Sequence, residues 1–141
     1  MKKTVLTILS LSIFYTCKDY KSRDDLIQKA KIIHSNVITL DTHNDIDVKN
    51  FTDNLNYSQK TNSQVNLPNM IKGGLDVSWL IVYTGQGELN KEGYRKAALN
   101  AQSKFDAIYR LINKYATSQI SLAKSSKEID SILQLGKKVA M

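Results

Sequence analysis

The residues best suited to chemistry lie in one short run, Asp41-Thr42-His43-Asn44-Asp45. In an extended segment, His43 and Asp45 are two positions apart and point to the same face. An imidazole nitrogen and a carboxylate oxygen on one face can both reach a single zinc ion. Asp41 shares that face and could accept a hydrogen bond from the His43 ring and orient it. The alternative is an exposed polar pair at a strand end, because His-x-Asp alone is not specific.

The element that must position this run is a strand. Residues 37–40 are short, β-branched and bounded by polar residues, which predicts a buried strand ending just before Asp41. Ligands in α/β proteins gather at the carboxyl ends of strands, which agrees with a metal site there. A helix is predicted before it, over residues 23–35.

After the strand, residues 49–64 are polar and predict a long loop, which either shapes the entrance to the site or is plain solvated loop. Residues 66–72 predict a short helix closed by Gly73-Gly74. Residues 76–83 predict a second buried strand with Trp79 in the core. The turn over residues 84–87 follows it.

The last part of the chain predicts two helices and a third strand. The first helix carries an apolar stripe with helical spacing, typical of a packing face: Tyr94, Ala98, Ala101, Phe105, Ile108, Ile112 and Tyr115. A capping box at 125–128 begins the second, and Gly136 ends it. A strand is expected from Lys138. Alternating elements of this kind favour an α/β fold with a parallel sheet.

Several of these segments together are specific. The runs Leu40–Asp45, Asn66–Met70, Gly73–Trp79 and Val82–Thr84 resemble, in order, the membrane (renal-type) dipeptidase family, peptidase family M19. The resemblance covers about residue 25 to Met141. It implies a metal-dependent hydrolase with a (β/α)8 TIM barrel, of which this chain would hold about the first three strands.

The resemblance also implies the chemistry. His43 and Asp45 match a pair of ligands to one of two Zn2+ ions, and the metals would activate a water to hydrolyse dipeptides. The bridging glutamate and two further histidines would lie beyond Met141. No catalytic residue is therefore assigned, and we expect an N-terminal fragment that is inactive alone and whose complete form is consistent with a homodimer. The alternative is a non-catalytic exported lipoprotein or binding module that retains the first third of the family's fold.

The beginning of the chain predicts export. Lys2 and Lys3 precede a short apolar run over residues 5–15, typical of a signal peptide. Cys17 follows it as in bacterial lipoproteins, so residues 1–17 are interpreted as the signal and 18–141 as the start of the barrel domain. Lipid on Cys17 would anchor the protein to the membrane of the cell envelope. The alternative is an ordinary signal peptide with an incidental cysteine.

The net charge of +7 raises the question of an acidic partner. The basic residues are scattered along the chain and form no dense stripe interleaved with aromatic residues. This pattern indicates a solvated surface, and together with the export signal it argues against a nucleic-acid-binding protein.

Overall fold

The structure is a computed structural model that describes residues 22–141. The predicted signal peptide and Cys17 lie outside these residues. The chain divides into two compact units, of which the first ends at Asn36 and the second begins at Val37. Within residues 22–141, no helix has both the length and the apolar character needed to cross a membrane.

The described part of the first unit contains helix α1 (Arg23–Ser35), as predicted. Ser22 begins it with a reciprocal capping box, because its side chain accepts a hydrogen bond from the Asp25 backbone and the Asp25 carboxylate accepts one from the Ser22 backbone. The helix has no buried residue; Leu26 and Ile33 are both 53% exposed.

The second unit is built around four parallel strands in the order β1-β2-β4-β3. Its elements are β1 (Leu40–Asp45), a 3-10 turn (Val48–Asn50), α2 (Leu67–Gly73), β2 (Val77–Ile81), α3 (Lys91–Arg110), a π-helical turn (Leu111–Tyr115), β3 (Ile120–Leu122), α4 (Ser126–Gln134) and β4 (Lys138–Ala140). The predicted α/β fold with part of a parallel barrel sheet is therefore confirmed.

The first strand differs from its prediction in position and in burial. It begins at Leu40 and contains the whole Asp41–Asp45 run, which was expected to follow the strand. Val37 and Ile38 precede it and are 51% and 54% exposed. β1 is an edge strand of the sheet, and β-branched residues beside an edge need not be buried.

A fourth strand was not predicted. β3 lies between the π-helical turn and α4 and pairs in parallel with β4, with Ile120 opposite Lys138. It has only three residues, too few to show a periodic pattern. Ile120 is 1% exposed and anchors the strand in the core.

Two apolar clusters pack on the sheet. In the larger cluster, Leu80 of β2 meets Ala107, Ile108 and Leu111 from the end of α3 and the π-helical turn. The smaller one consists of Val77 of β2, Val139 of β4 and Ala123 after β3, with Ile129, Ile132 and Leu133 of α4 packed against them. Val77 and Leu80 are three positions apart on one strand, so the clusters lie on opposite faces of the sheet.

Two predicted core positions are wrong. Trp79 is 40% exposed although Val77, on the same face of β2, is buried, so the cover on that face does not extend along the strand to Trp79. The stripe on α3 is a packing face only in its second half, because Tyr94 and Phe105 are 65% and 47% exposed while Ile108 is buried.

The shorter helices begin and end as their residue types require. Asn66 accepts a hydrogen bond from the Asn69 backbone at the start of α2, and Gly74 ends that helix in the left-handed conformation at φ 69°. Ser125 likewise precedes α4, and Gly136 follows it at φ 72°. The Glu128 carboxylate accepts from the Lys124 backbone, so the capping box predicted at Ser125 is not reciprocal.

Candidate metal centre

The candidate site begins with a bulge in β1. Asp41 pairs with Ser78, but the next paired residue is Asn44, opposite Leu80. An advance of three residues on β1 therefore matches an advance of two on β2, so β1 contains one extra residue between these pairs. Bulges interrupt the alternation of side chains and re-aim them, and they occur frequently beside active sites.

The bulge sends His43 and Asp45 to the open side of the strand and Asn44 inward. The side chains of His43 and Asp45 are 71% and 64% exposed, and His43 Nε2 lies 3.9 Å from Asp45 Oδ2. Asn44 is only 7% exposed. The predicted pair is therefore brought together on one face.

Asn44 fixes the strand from beneath. Its Nδ2 donates a 2.7 Å hydrogen bond to Oγ of Ser78, which is fully buried in the neighbouring strand. This bond joins β1 to β2 at the end of the bulge, where main-chain pairing resumes. Sequence reasoning assigned Asn44 no task, although a polar residue between two candidate ligands must point away from them.

Asp41 has a different contact from the one predicted. Its Oδ1 accepts a 3.0 Å hydrogen bond from the His43 backbone N–H. Asp41 precedes the bulge, so two-residue alternation no longer relates its side chain to that of His43. Its recorded hydrogen bond therefore supports the main chain of the bulge.

A pocket of about 230 Å³ opens beside the pair. One side is β1, and the other is the loop after it. The pocket is lined by His43, Asn44, Asp45, Tyr57, Ser63, Gln64 and Val65. The polar loop thus faces the candidate site, which was one of the two interpretations left open by its sequence.

The loop is packed and not simply solvated. The rings of Phe51 and Tyr57 have centroids 4.5 Å apart, and both side chains are buried. Asn56 and Asn66, also buried, donate hydrogen bonds to main-chain oxygens of the loop. Two aromatic residues within an otherwise polar stretch are the sequence signal that could have predicted this small core.

Ionic contacts hold the base of the loop. Asp53 Oδ1 lies 2.6 Å from Nζ of Lys114 and accepts a 2.9 Å hydrogen bond from the Tyr115 hydroxyl. The bonds from Lys114 and Tyr115 lower the pKa of Asp53. The bond to Asp53 raises the pKa of Lys114; desolvation, followed by the bond to Asp53, raises that of Tyr115.

The donor atoms of His43 and Asp45 fit part of a zinc site. Two ligands of a tetrahedral zinc, each about 2.1 Å from it, are roughly 3.4 Å apart. The observed 3.9 Å requires only a small rotation of two exposed side chains. Among residues 22–141, no group of three His, Cys, Asp or Glu side chains is placed to hold a metal ion.

Comparison with known proteins decides the family. The profile of the membrane dipeptidase family (peptidase family M19) matches residues 27–141. The chain belongs to the membrane dipeptidase family. A comparison with curated proteins finds no match.

A solved structure of a probable dipeptidase has a similar fold. The chain is similar to the crystal structure of the probable dipeptidase PvdM from Pseudomonas aeruginosa, with a TM-score of 0.74 at 14% identity. The match covers 84% of this chain and 30% of that one. The predicted membership of a hydrolase family is confirmed, and the chain spans about a third of the probable dipeptidase that it matches.

Proposed function

We propose that this chain supplies the first metal-binding strand of a zinc-dependent dipeptidase, with His43 and Asp45 as ligands to one of two zinc ions. The observation that supports the proposal most is the exposed His43–Asp45 pair, 3.9 Å apart on a bulged strand. The family match includes this strand.

Other residues of the chain orient the two proposed ligands. The Asn44–Ser78 hydrogen bond and the Asp41 contact with the His43 backbone fix the main chain at the bulge. A fixed main chain limits the positions that the two donor atoms can adopt, which lowers the entropy lost on binding a metal. Zinc, when bound, lowers the pKa of a water molecule and polarises a carbonyl group.

The described residues supply too few ligands for a two-zinc site. Zinc in proteins usually takes three or four protein ligands, and His43 and Asp45 are two. We therefore expect the 141-residue chain to hydrolyse no dipeptide. A protein that joins this chain to the remaining ligands is expected to hydrolyse dipeptides and to lose that activity with His43→Ala.

Zinc titration of the 141-residue chain by isothermal calorimetry tests the ligand assignment. We expect weak binding that His43→Ala and Asp45→Ala each abolish. His34→Ala is the matched control, because His34 is the other histidine of the chain and is exposed on α1. Binding that persists in both site variants, or that disappears with His34→Ala, would overturn the assignment.

Export and lipidation belong to the same proposal. The basic start, the apolar run over residues 5–15 and Cys17 support a lipoprotein signal. In a bacterial host, we expect labelled palmitate to be incorporated into the protein and Cys17→Ser to prevent it. Export of an unlabelled protein would instead indicate an ordinary signal peptide.

A further inference from the structure

The loop that lines the metal pocket is attached at its base to the end of α3 and the π-helical turn. Nε of Arg110 donates a 3.2 Å hydrogen bond to the Phe51 carbonyl oxygen. The Tyr115 hydroxyl lies 3.4 Å from the same oxygen and 2.9 Å from Asp53. Lys114 completes the group with its 2.6 Å contact to Asp53. The donors come from about 60 residues along the chain, so the contacts are tertiary.

The π-helical turn carries two adjacent side chains that reach one carboxylate oxygen. Neighbouring residues of an α-helix diverge by about 100° around the axis, which separates their side chains. The wider turn from Leu111 to Tyr115 departs from that spacing, and Lys114 and Tyr115 both contact Asp53 Oδ1. Leu111, 1% exposed, fixes the beginning of the turn in the core. Such turns are rare and frequently occur at functional sites.

The attached segment leads directly to the pocket. Phe51 packs on Tyr57, and the Tyr57 carbonyl accepts a 2.8 Å hydrogen bond from the Leu67 backbone. Tyr57 and residues 63–65 then form the side of the pocket that faces His43 and Asp45. A displacement at Asp53 would therefore be transmitted through the aromatic pair to the pocket.

We propose that Asp53, Lys114 and Tyr115 form a clamp that positions residues 57–65 as the wall of the His43–Asp45 pocket. The three are positioning residues, since they act through the loop and lie outside the pocket lining. The metal role of the pocket rests on the proposed function, but the clamp can be tested without a metal. In a complete enzyme, this wall would border the substrate beside the first metal.

The clamp is strong because several donors meet at one carboxylate and its neighbouring carbonyl group. An exposed ion pair alone contributes little to stability, and Lys114 and Asp53 are 58% and 69% exposed. Here an ammonium group and a phenol share one carboxylate, and Arg110 holds the neighbouring carbonyl group. Networks of this kind are the case in which surface charges have a measurable effect.

The charges also give the clamp a defined pH dependence. The groups that face Asp53 are Lys114, Tyr115 and, at longer range, Arg110. They lower the pKa of Asp53. The stabilisation of the loop by the ionised carboxylate is therefore present above the ordinary carboxyl range and is lost as pH falls through the lowered pKa. Asp53→Asn removes the titrating group and with it this dependence.

The experiment compares Asp53→Asn with Glu92→Gln in the 141-residue chain. Glu92 is the matched control, because it forms an exposed ion pair with Arg95 within α3 and does not contact the loop. We measure nuclear Overhauser effects from His43 to Tyr57 and Val65, and amide hydrogen exchange over residues 53–65. Only a change in the pocket wall alters the Overhauser effects, whereas a general loss of stability would also accelerate exchange in β2 and β4.

With Asp53→Asn, we expect weaker Overhauser effects and about fivefold faster exchange in the loop, with β2 and β4 unchanged. Glu92→Gln should match the wild type, and loop protection should decline at low pH in both of these proteins but not in Asp53→Asn. Unchanged Overhauser effects in Asp53→Asn, or equal changes in both variants, would overturn the clamp. Zinc binding is measured separately, so its absence would contradict the proposed function without affecting this result.

Discussion

The two ends of the sheet use carboxylates in opposite ways. At the amino-terminal end, Asp76 accepts hydrogen bonds from the Thr39 backbone and hydroxyl at 3.0 and 3.2 Å, and Lys138 lies 2.9 Å away. At the carboxyl end, Asp45 lies 3.9 Å from His43 with most of its side chain in solvent. The first carboxylate has its lone pairs engaged within the fold; the second remains available to a ligand.

Asp76 therefore stabilises the fold, whereas Asp45 is the carboxylate proposed to bind a metal. Burial opposes the ionisation of Asp76, but the bonds from Thr39 and Lys138 outweigh it and lower its pKa. The contacts join the entry to β1 with β2 and β4, so they stabilise the folded chain. In α/β barrels, functional residues lie at the carboxyl ends of strands, and the opposite ends contribute to stability.

The largest expected effect is at the amino-terminal end. Asp76→Ala leaves the Thr39 backbone N–H and the partly buried Lys138 ammonium without their acceptor, at a cost of about 2 kcal/mol. Urea unfolding measures the free energy of unfolding, and zinc binding should not change. Asp76→Asn, which can still accept from Thr39, should cost less. An Asp76→Ala variant as stable as the wild type would show that the Asp76 contacts do not stabilise the amino-terminal end of the sheet.

A smaller loss is expected beneath the candidate site. Asn44→Ala removes the bond to the buried Ser78 hydroxyl and should cost about 1–2 kcal/mol in urea unfolding. Zinc affinity should also fall, because the bulge is less firmly fixed. Asn44→Ala and Ser78→Ala together should cost less than the sum of the single variants, and full additivity would indicate that the bond is unimportant.

Acid should weaken the amino-terminal end through Asp76. A carboxyl whose pKa is lowered on folding stabilises the protein above the ordinary carboxyl range, and that contribution is lost as pH falls through the lowered value. The free energy of unfolding of the wild type should therefore fall more steeply below about pH 4 than that of Asp76→Asn. Parallel pH profiles would show that Asp76 does not supply the difference.

The smallest effect on stability is expected at the carboxyl end. Asp45→Ala removes an exposed side chain and should change the free energy of unfolding by no more than about 0.5 kcal/mol. The same variant should lose zinc binding. A strongly destabilised variant would show that Asp45 is a structural residue and not one that remains available to a ligand.

The sequence predicted the alternating α/β order and the shared face of His43 and Asp45, because both depend on local patterns. The metal role of the two residues stays a prediction. It failed where structure depends on distant partners. β3 has three residues and exists because it can pair with β4, and the exposure of Trp79 depends on which elements cover the sheet. The bulge that moves Asp41 out of alternation arises from the register between β1 and β2.

The loop shows the same limit for the candidate site. Its composition predicted a polar segment after β1, but Phe51 and Tyr57 give that segment a small core. The clamp joins Asp53 to residues about 60 positions away, a separation that local patterns do not report. The shared face of His43 and Asp45 was thus predictable, whereas the contacts that hold the surrounding loop were not.

The most direct test of the metal assignment is to follow the two histidine rings by nuclear magnetic resonance while zinc is added. We expect the His43 imidazole signals to shift until zinc saturates the site, those of His34 to stay unchanged, and Asp45→Ala to remove the response. A shift confined to His34, or no shift at either ring at saturating zinc, would contradict the assignment of His43 and Asp45 as metal ligands.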